Sequence, residues 1–435
     1  MRTMRAPLAL VAPSLLLPLL LLVVETAAQP HDQQQQLGAE PTAHDNDRPE
    51  PPTIAARQNL FKPTKATPLY RIPALAVLNA SHVVAFAEAR DKHVRIVAKV
   101  STDGGATFGP EQAVVSEQGQ KIGNPAPVVL DGSDGRVLLV YCRNNLKMFA
   151  VNLTLDASGE LQIAPSREIT ADVLRGMPPA SFIASGPPGG IRSASGRIVV
   201  ACDFTPKQKS SSPVRLRSAQ SSDIRSFVIQ SDDNGLHWQH TGLLPVSANF
   251  STSENQCASA DGGKTIITTA RTGSTNPQDP TAENFRAVAV SRDGGDNFGA
   301  FQRTNIADPT CEGSTLGLEA TGEYWMSSGI AAVPGNRSNV SLSVCDAACA
   351  KGGFVTWRPV LVVDPGLSSY SSLGSTNAET LLLLYEVGGG ESITALSLVT
   401  IKLAPPTAVG SKKMLAEVEA AAGTQGGVMQ AKGGG

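Results

Sequence analysis

One eight-residue pattern recurs along this chain and limits its fold more than any other feature. Residues 101–108 read STDGGATF, residues 231–238 read SDDNGLHW and residues 291–298 read SRDGGDNF, so all three follow Ser-x-Asp-x-Gly-x-x-aromatic. Ser and Asp side chains bond nearby backbone N–H groups, Gly supplies a positive φ, and the aromatic ring plugs the sheet below. Together these predict a tight hairpin. A degenerate fourth copy, SVCDAACAKGGFVTW at 343–357, carries a cysteine-bearing insertion. A single active site would need each of its residues once, so the identical recurrence of Asp103, Asp233 and Asp293 marks them as structural.

Between these turns lie short β-branched or apolar runs: HVVAFAEA, RIVAKVS, RVLLVYC, RIVVAC, KTIITTAR, RAVAVS and TLLLLYE. Each is bounded by Gly, Asp, Asn or Pro, and the 41 glycines and 30 prolines among 435 residues supply that punctuation. No long helical period interrupts them. Many short strands with a recurring hairpin turn predict an all-β protein built by radial repetition of four-stranded sheets, a β-propeller.

The two ends of the chain differ from this core. A basic MRTMR, an apolar run from Ala6 to Val24 and the small residues of ETAAQP read as a signal peptide over 1–28, cleaved near Ala28. Pro7, Pro13 and Pro18 break the run, and no later stretch is long enough to span a bilayer, so no integral membrane segment is expected after cleavage. Residues 29–57 are Gln- and Pro-rich and read as a disordered linker; the propeller is expected over 58–405 and a low-complexity tail over 406–435. Six cysteines and sequons at Asn79, Asn152, Asn249, Asn336 and Asn339 fit a glycoprotein of the secretory pathway, secreted or in a lysosome- or vacuole-like compartment. Cys345 and Cys349 are the nearest pair in sequence. A formal charge of −2 gives no footprint for nucleic acid, and no histidine or cysteine spacing calls for a metal or cofactor.

One charge is out of place. In PLYRIPALAV, Arg71 sits inside an apolar strand-like run, where an unpaired guanidinium costs several kcal/mol unless a carboxylate or ligand meets it. The Tyr-Arg-Ile-Pro segment followed by repeated Ser-x-Asp turns resembles the sialidase (neuraminidase) family of exo-acting glycoside hydrolases. The resemblance spans about residues 58–403 and implies a six-bladed β-propeller.

It also implies roles. Arg71, Arg271 in TTARTGS and Arg337 in GNRSNV match the three arginines that bind the sialic acid carboxylate, and Glu386 in LLLLYEVGGG matches the carboxylate that holds the first of them. Tyr370 in GLSSYSSLGS matches the nucleophile and Glu254 the residue that takes its proton; a neutral phenol avoids the repulsion an anionic nucleophile would meet at a carbon bearing a carboxylate. Arg90 in AFAEAR lines the site, Asp91 is the acid/base, with His93 the nearest substitute, and Asn124 in GNPAPVVL contacts sugar or steadies a turn. The expected activity is retaining exo-α-sialidase hydrolysis of sialylated glycoconjugates. The alternatives are a catalytically impaired, sialoglycan-binding propeller, for which the short loop at Asp91 speaks, and a trans-sialidase.

Overall fold

The computed structural model describes residues 50–405 apart from 157, 208–223, 247–249, 275–284, 330–336 and 390–391. The signal-peptide segment, most of the linker, the tail and the sequons at Asn249 and Asn336 lie outside the described residues. The N-terminal strand β1 (Thr53–Phe61) is followed by a four-stranded meander of β2 (Leu69–Val77), β3 (Val83–Arg90), β4 (Val94–Ser101) and β5 (Gln112–Val115). A second sheet holds β6 (Ile122–Asp131), β7 (Arg136–Arg143), β8 (Lys147–Leu155), β9 (Leu161–Ile163) and β10 (Arg167–Glu168). A single helical turn, α1 (Thr170–Val173), leads to the third, with β11 (Ala180–Ser185), β12 (Ile191–Arg192), β13 (Ile198–Pro206), β14 (Arg225–Ser231) and β15 (Gln239–Leu243). The fourth is β16 (Phe250–Ala258), β17 (Ile266–Ser274), β18 (Phe285–Ser291) and β19 (Gln302–Ala307).

The last sheet has seven strands: β20 (Ser314–Leu318), β21 (Glu323–Ser328), β22 (Ser338–Cys345), β23 (Arg358–Asn377), β24 (Thr380–Val387), β25 (Ala395–Lys402) and the returning β1, with the short α2 (Ala347–Lys351) between β22 and β23. Its longest member changes partners midway, pairing with β22 up to Leu367 and with β24 from Ser368 onward. This is an all-β propeller.

Burial explains why the strands read as they do. VVAFAEAR in β3 and TLLLLYEV in β24 are buried almost throughout because each is an inner member of a sheet covered on both faces. The core lies between successive sheets. Phe86 and Tyr141 belong to one interlayer, Leu138 and Phe204 to the next, Val199 and Ile266 to the one beyond it, and Ile267 and Trp357 to the one after that. Leu342 packs with Leu383, and Ala85 with Leu398 closes the circuit back onto the first sheet. Each large apolar side chain so buried stabilises the fold by roughly 1.5–3 kcal/mol.

The ring is also closed by strand pairing, because β1 lies antiparallel to β25 from Thr53↔Lys402 to Phe61↔Leu396. The linker expected to run to residue 57 therefore ends earlier. Residues 53–57 are strand although their side chains are exposed, because backbone hydrogen bonds to β25 hold them, and an outer strand needs few apolar side chains.

The repeated turns join third and fourth strands. In the first, the Ser101 hydroxyl donates to Asp103 Oδ1 (2.7 Å) and accepts the N–H of Gly105 (2.8 Å), while Asp103 Oδ1 accepts the N–H of Thr107 (2.8 Å). Ser231, Asp233, Gly235 and His237 repeat this pattern, as do Ser291, Asp293, Gly295 and Asn297. In the degenerate copy Asp346 instead caps α2, Cys345 and Cys349 form a disulfide, and Trp357 Nε1 donates to Phe354 O as Trp238 Nε1 does to Gly235 O. The same hydrogen bonds hold Ser259, Asp261, Gly263 and Thr265 between β16 and β17; an isoleucine follows there in place of the aromatic, which hides this copy in the sequence.

Candidate active site

Four inner strands lose their regular register, each beside one of the candidate site residues. The irregularities fall between Arg71 and Ala74 in β2, Gly123 and Ala126 in β6, Thr252 and Asn255 in β16, and Ser368 and Ser371 in β23. A bulge leaves a residue out of the ladder and re-aims its side chain. Asn124, Glu254 and Tyr370 stand inside three of these breaks, and Arg71 is the last paired residue before the fourth. Ile72 and Asn124 both have φ of 54°, a conformation uncommon for residues with a Cβ.

Arg71 is met by Glu386 on β24 in a two-pronged ion pair, Nε to Oε1 at 2.9 Å and a terminal nitrogen to Oε2 at 3.0 Å. The same carboxylate accepts the N–H of Ile72 (2.9 Å) and of Tyr370 (3.3 Å). Burial alone would lower the pKa of Arg71, but Glu386 more than offsets it, so the guanidinium stays charged. The charge that looked misplaced in PLYRIPALAV has its partner.

Tyr370 forms the centre of the site. Its hydroxyl donates a short hydrogen bond to Glu254 Oε1, and the other oxygen of Glu254 accepts from Arg271 at 2.7 Å. Arg271 also reaches the phenol oxygen, at 3.4 Å. The guanidinium carbons of Arg71 and Arg337 lie 4.8 and 5.6 Å from the centre of the Tyr370 ring. Burial raises the phenol pKa well above 10, with Glu254 acting in the same direction and Arg271 and Arg71 opposing. Burial would also raise Glu254, but Arg271 and the phenol hydrogen bond hold it below the ordinary glutamate value. At neutral pH the pair is thus a phenol donating to a carboxylate.

Three guanidiniums converge on two carboxylates here. Arg337 donates to Thr310 O at 3.0 Å and makes no ion pair among the described residues. The arrangement leaves one positive charge unmatched, which suits a monoanion held by planar, forked donors.

Glu88 organises the neighbouring wall. It is buried, accepts from Arg90 Nε (2.8 Å) and from the N–H of Asn124 (2.8 Å), and pairs across the ladder with Arg71. Arg90 and Asn124 therefore belong to one network, Asn124 through its backbone. Asp91 lies apart. It sits in the exposed turn between β3 and β4, accepts the N–H of His93 (2.8 Å), and pairs with Arg95. Those contacts hold its carboxyl below the usual aspartate value, the His93 N–H contributing most.

Several buried titratable residues stand out only in the structure: Glu88, Asp203, Glu312 and the Arg286–Asp308 pair, which is fully buried at 3.2 Å. Glu312 accepts the N–H of Ser371 (2.7 Å), so two carboxylates grip the backbone on either side of the Tyr370 side chain. The rule that singled out Arg71, a charge inside an apolar strand, applies equally to VVAFAEAR and IVVACDFTP. A larger cavity, about 610 Å³, is lined by later residues of the same inner strands, such as Val77, Val129 and Ala258, and contains none of the site arginines.

The sequence profile of the BNR repeat-like domain family matches residues 79–382. A curated relative, "Sialidase" of Micromonospora viridifaciens, is 25% identical over 363 residues, covering 74% of this chain and 50% of its own length. Among solved structures, a Hadza microbial sialidase superposes with a TM-score of 0.60 at 21% identity, covering 78% of this chain and 66% of that one. The sialidase of Trypanosoma rangeli in complex with sialic acid gives 0.57 at 16% identity, covering 85% and 61%. The chain thus spans about half the length of the curated relative and under two thirds of these two structures.

Proposed function

Because this chain belongs to the BNR repeat-like domain family and carries the sialidase likeness, we propose that it is a retaining exo-α-sialidase acting through a tyrosine nucleophile. The observation that carries this reading is the Tyr370–Glu254 pair set among Arg71, Arg271 and the unmatched Arg337. In it, the arginines bind the carboxylate of a terminal sialic acid and hold the anomeric carbon over the phenol. The phenol oxygen attacks that carbon, its proton passes to Glu254, and the bond to the leaving sugar breaks. An oxocarbenium-like transition state gains from the nearby carboxylates as its charge develops. Asp91 protonates the departing oxygen, then takes a proton from the water that releases the product and regenerates Tyr370.

The finer fold reading is six blades. It is supported by the partner change within β23, which divides the seven-stranded sheet into two four-stranded halves beside the four smaller sheets. The Cys345–Cys349 disulfide favours an oxidising, secretory compartment. Among the described residues no helix is long and apolar enough to cross a membrane.

One observation favours a second reading, a sialoglycan-binding propeller without turnover. Asp91 is exposed and its carboxyl is held in the charged form, the poorer state for a proton donor. Hydrolysis of a fluorogenic sialoside beside sialyllactose, by wild type, Tyr370→Phe and Asp91→Ala, separates the two. Turnover of both substrates, lost in Tyr370→Phe, supports the enzyme. Folded wild type that binds sialyllactose but cleaves neither compound supports the binding protein. Sialyllactose cleavage that survives Asp91→Ala unchanged removes Asp91 from its role.

A further inference from the structure

Beside Glu254 and Arg271 a small cavity of about 100 Å³ opens between the third and fourth sheets. Asp203 on β13 forms part of its wall. The residue is 1% exposed, yet its Oδ1 has no hydrogen-bond partner among the described residues. Leaving a buried acceptor unmade costs about 1–3 kcal/mol. A buried acceptor that the protein leaves without a partner, on a residue of a cavity wall, points to a donor held in that cavity, water or a ligand group.

The rest of the wall narrows what that donor is. Arg271 disfavours an ammonium group and Glu254 disfavours an anion. Ser251 and Ser253 add hydroxyls, and Phe182 supplies one apolar side. A neutral group bearing a hydroxyl fits this combination.

We propose that this cavity is a recognition subsite of the active site and that Asp203 is a specificity-determining residue, its Oδ1 accepting a hydrogen bond from one hydroxyl of the bound sugar. The inference rests on the sialidase reading. Burial raises the Asp203 carboxyl well above the ordinary aspartate range, and Glu254 adds to the shift. The shift favours the protonated form, which donates as well as accepts, a match for a hydroxyl.

Titration calorimetry with free sialic acid and each of its mono-deoxy analogues, on wild type, Asp203→Ala and Asp203→Asn, tests the assignment, with near-UV circular dichroism to check folding. One analogue is expected to bind wild type about 10- to 100-fold more weakly than the parent sugar. Asp203→Ala should bind that pair alike. Asp203→Asn, which keeps the side chain's shape and an accepting Oδ1, should keep most of the gap. A gap as wide in Asp203→Ala as in wild type, a gap lost in folded Asp203→Asn, or no analogue that wild type discriminates, overturns the assignment while sialic acid recognition stands. Wild type that neither binds sialic acid nor cleaves a fluorogenic sialoside overturns the sialidase reading and this assignment with it.

Discussion

Arg71 and Glu386 are 315 positions apart in the chain and share two hydrogen bonds of 2.9 and 3.0 Å. Glu386 is fully buried, and the N–H groups of Ile72 and Tyr370 also rest on it, so one carboxylate ties the first propeller strand to the proposed nucleophile.

Removing one partner of a buried pair strands the other. Glu386→Ala should destabilise the protein by about 3–5 kcal/mol, measured by urea unfolding, and Glu386→Gln by less because the amide oxygen still accepts. A loss under about 1 kcal/mol for the alanine variant would mean that water replaces the carboxylate.

Arg337 offers the contrast. It makes no ion pair among the described residues, so Arg337→Ala strands no carboxylate and should leave the unfolding midpoint nearly unchanged. Sialic acid binding should weaken about 10- to 100-fold, the range for one charge-assisted hydrogen bond. Arg337→Lys should recover little of it, since an ammonium lacks the fork.

Tyr370→Phe removes the attacking oxygen and leaves the ring beside Arg71 and Arg337. Turnover of a fluorogenic sialoside should vanish while sialic acid still binds. Glu254→Gln keeps the shape but cannot take the proton, and kcat should fall by about 10²–10⁴-fold.

Three turn aspartates predict an acid limb. Asp103, Asp233 and Asp293 are each pushed down to about 2 by side-chain and backbone hydrogen bonds of their own turns, against an ordinary 3.8. A depressed carboxylate contributes its full stabilisation above the unfolded value and loses it as pH falls through the folded one. Circular dichroism should show stability dropping between about pH 4 and pH 2, and replacing all three by Asn should flatten that slope.

Glu312 has the opposite sign. Burial raises its carboxyl well above 4.5, so its contribution is complete below that value and declines as pH rises toward the folded one. Glu312→Gln keeps an acceptor for the Ser371 N–H without the proton requirement. The variant should be more stable than wild type at pH 7 and equal to it near pH 4, by denaturant titration at both values.

The parts of this protein legible in its sequence are those with local causes. A Ser-x-Asp-x-Gly turn closes its hydrogen bonds within four residues, so the eight-residue pattern carries its own geometry. Arg71 was legible for a different reason, as a charge where burial forbids one without a partner. Glu88 and Asp203 sit in equally apolar runs and could have been found by the same reasoning. Glu254, Arg271, Arg337 and Tyr370 came from family likeness, since nothing in their own neighbours distinguishes them. The linker boundary is not legible in the sequence because β1 is held by backbone bonds to β25 and not by its own side chains.

Composition and periodicity were enough for strands, turns and a propeller, because those depend on the backbone and on neighbours a few residues away. Which charges meet depended on closure of the ring, which brings Arg71 on β2, Glu254 on β16, Tyr370 on β23 and Glu386 on β24 together. The environment of each carboxyl followed from that closure. Glu386 is saturated with donors, Glu254 is shared between a phenol and a guanidinium, and Asp203 keeps one oxygen without a partner. Burial and partnership belong to the assembled ring, since desolvation and Coulomb attraction act between groups that the chain order leaves hundreds of residues apart.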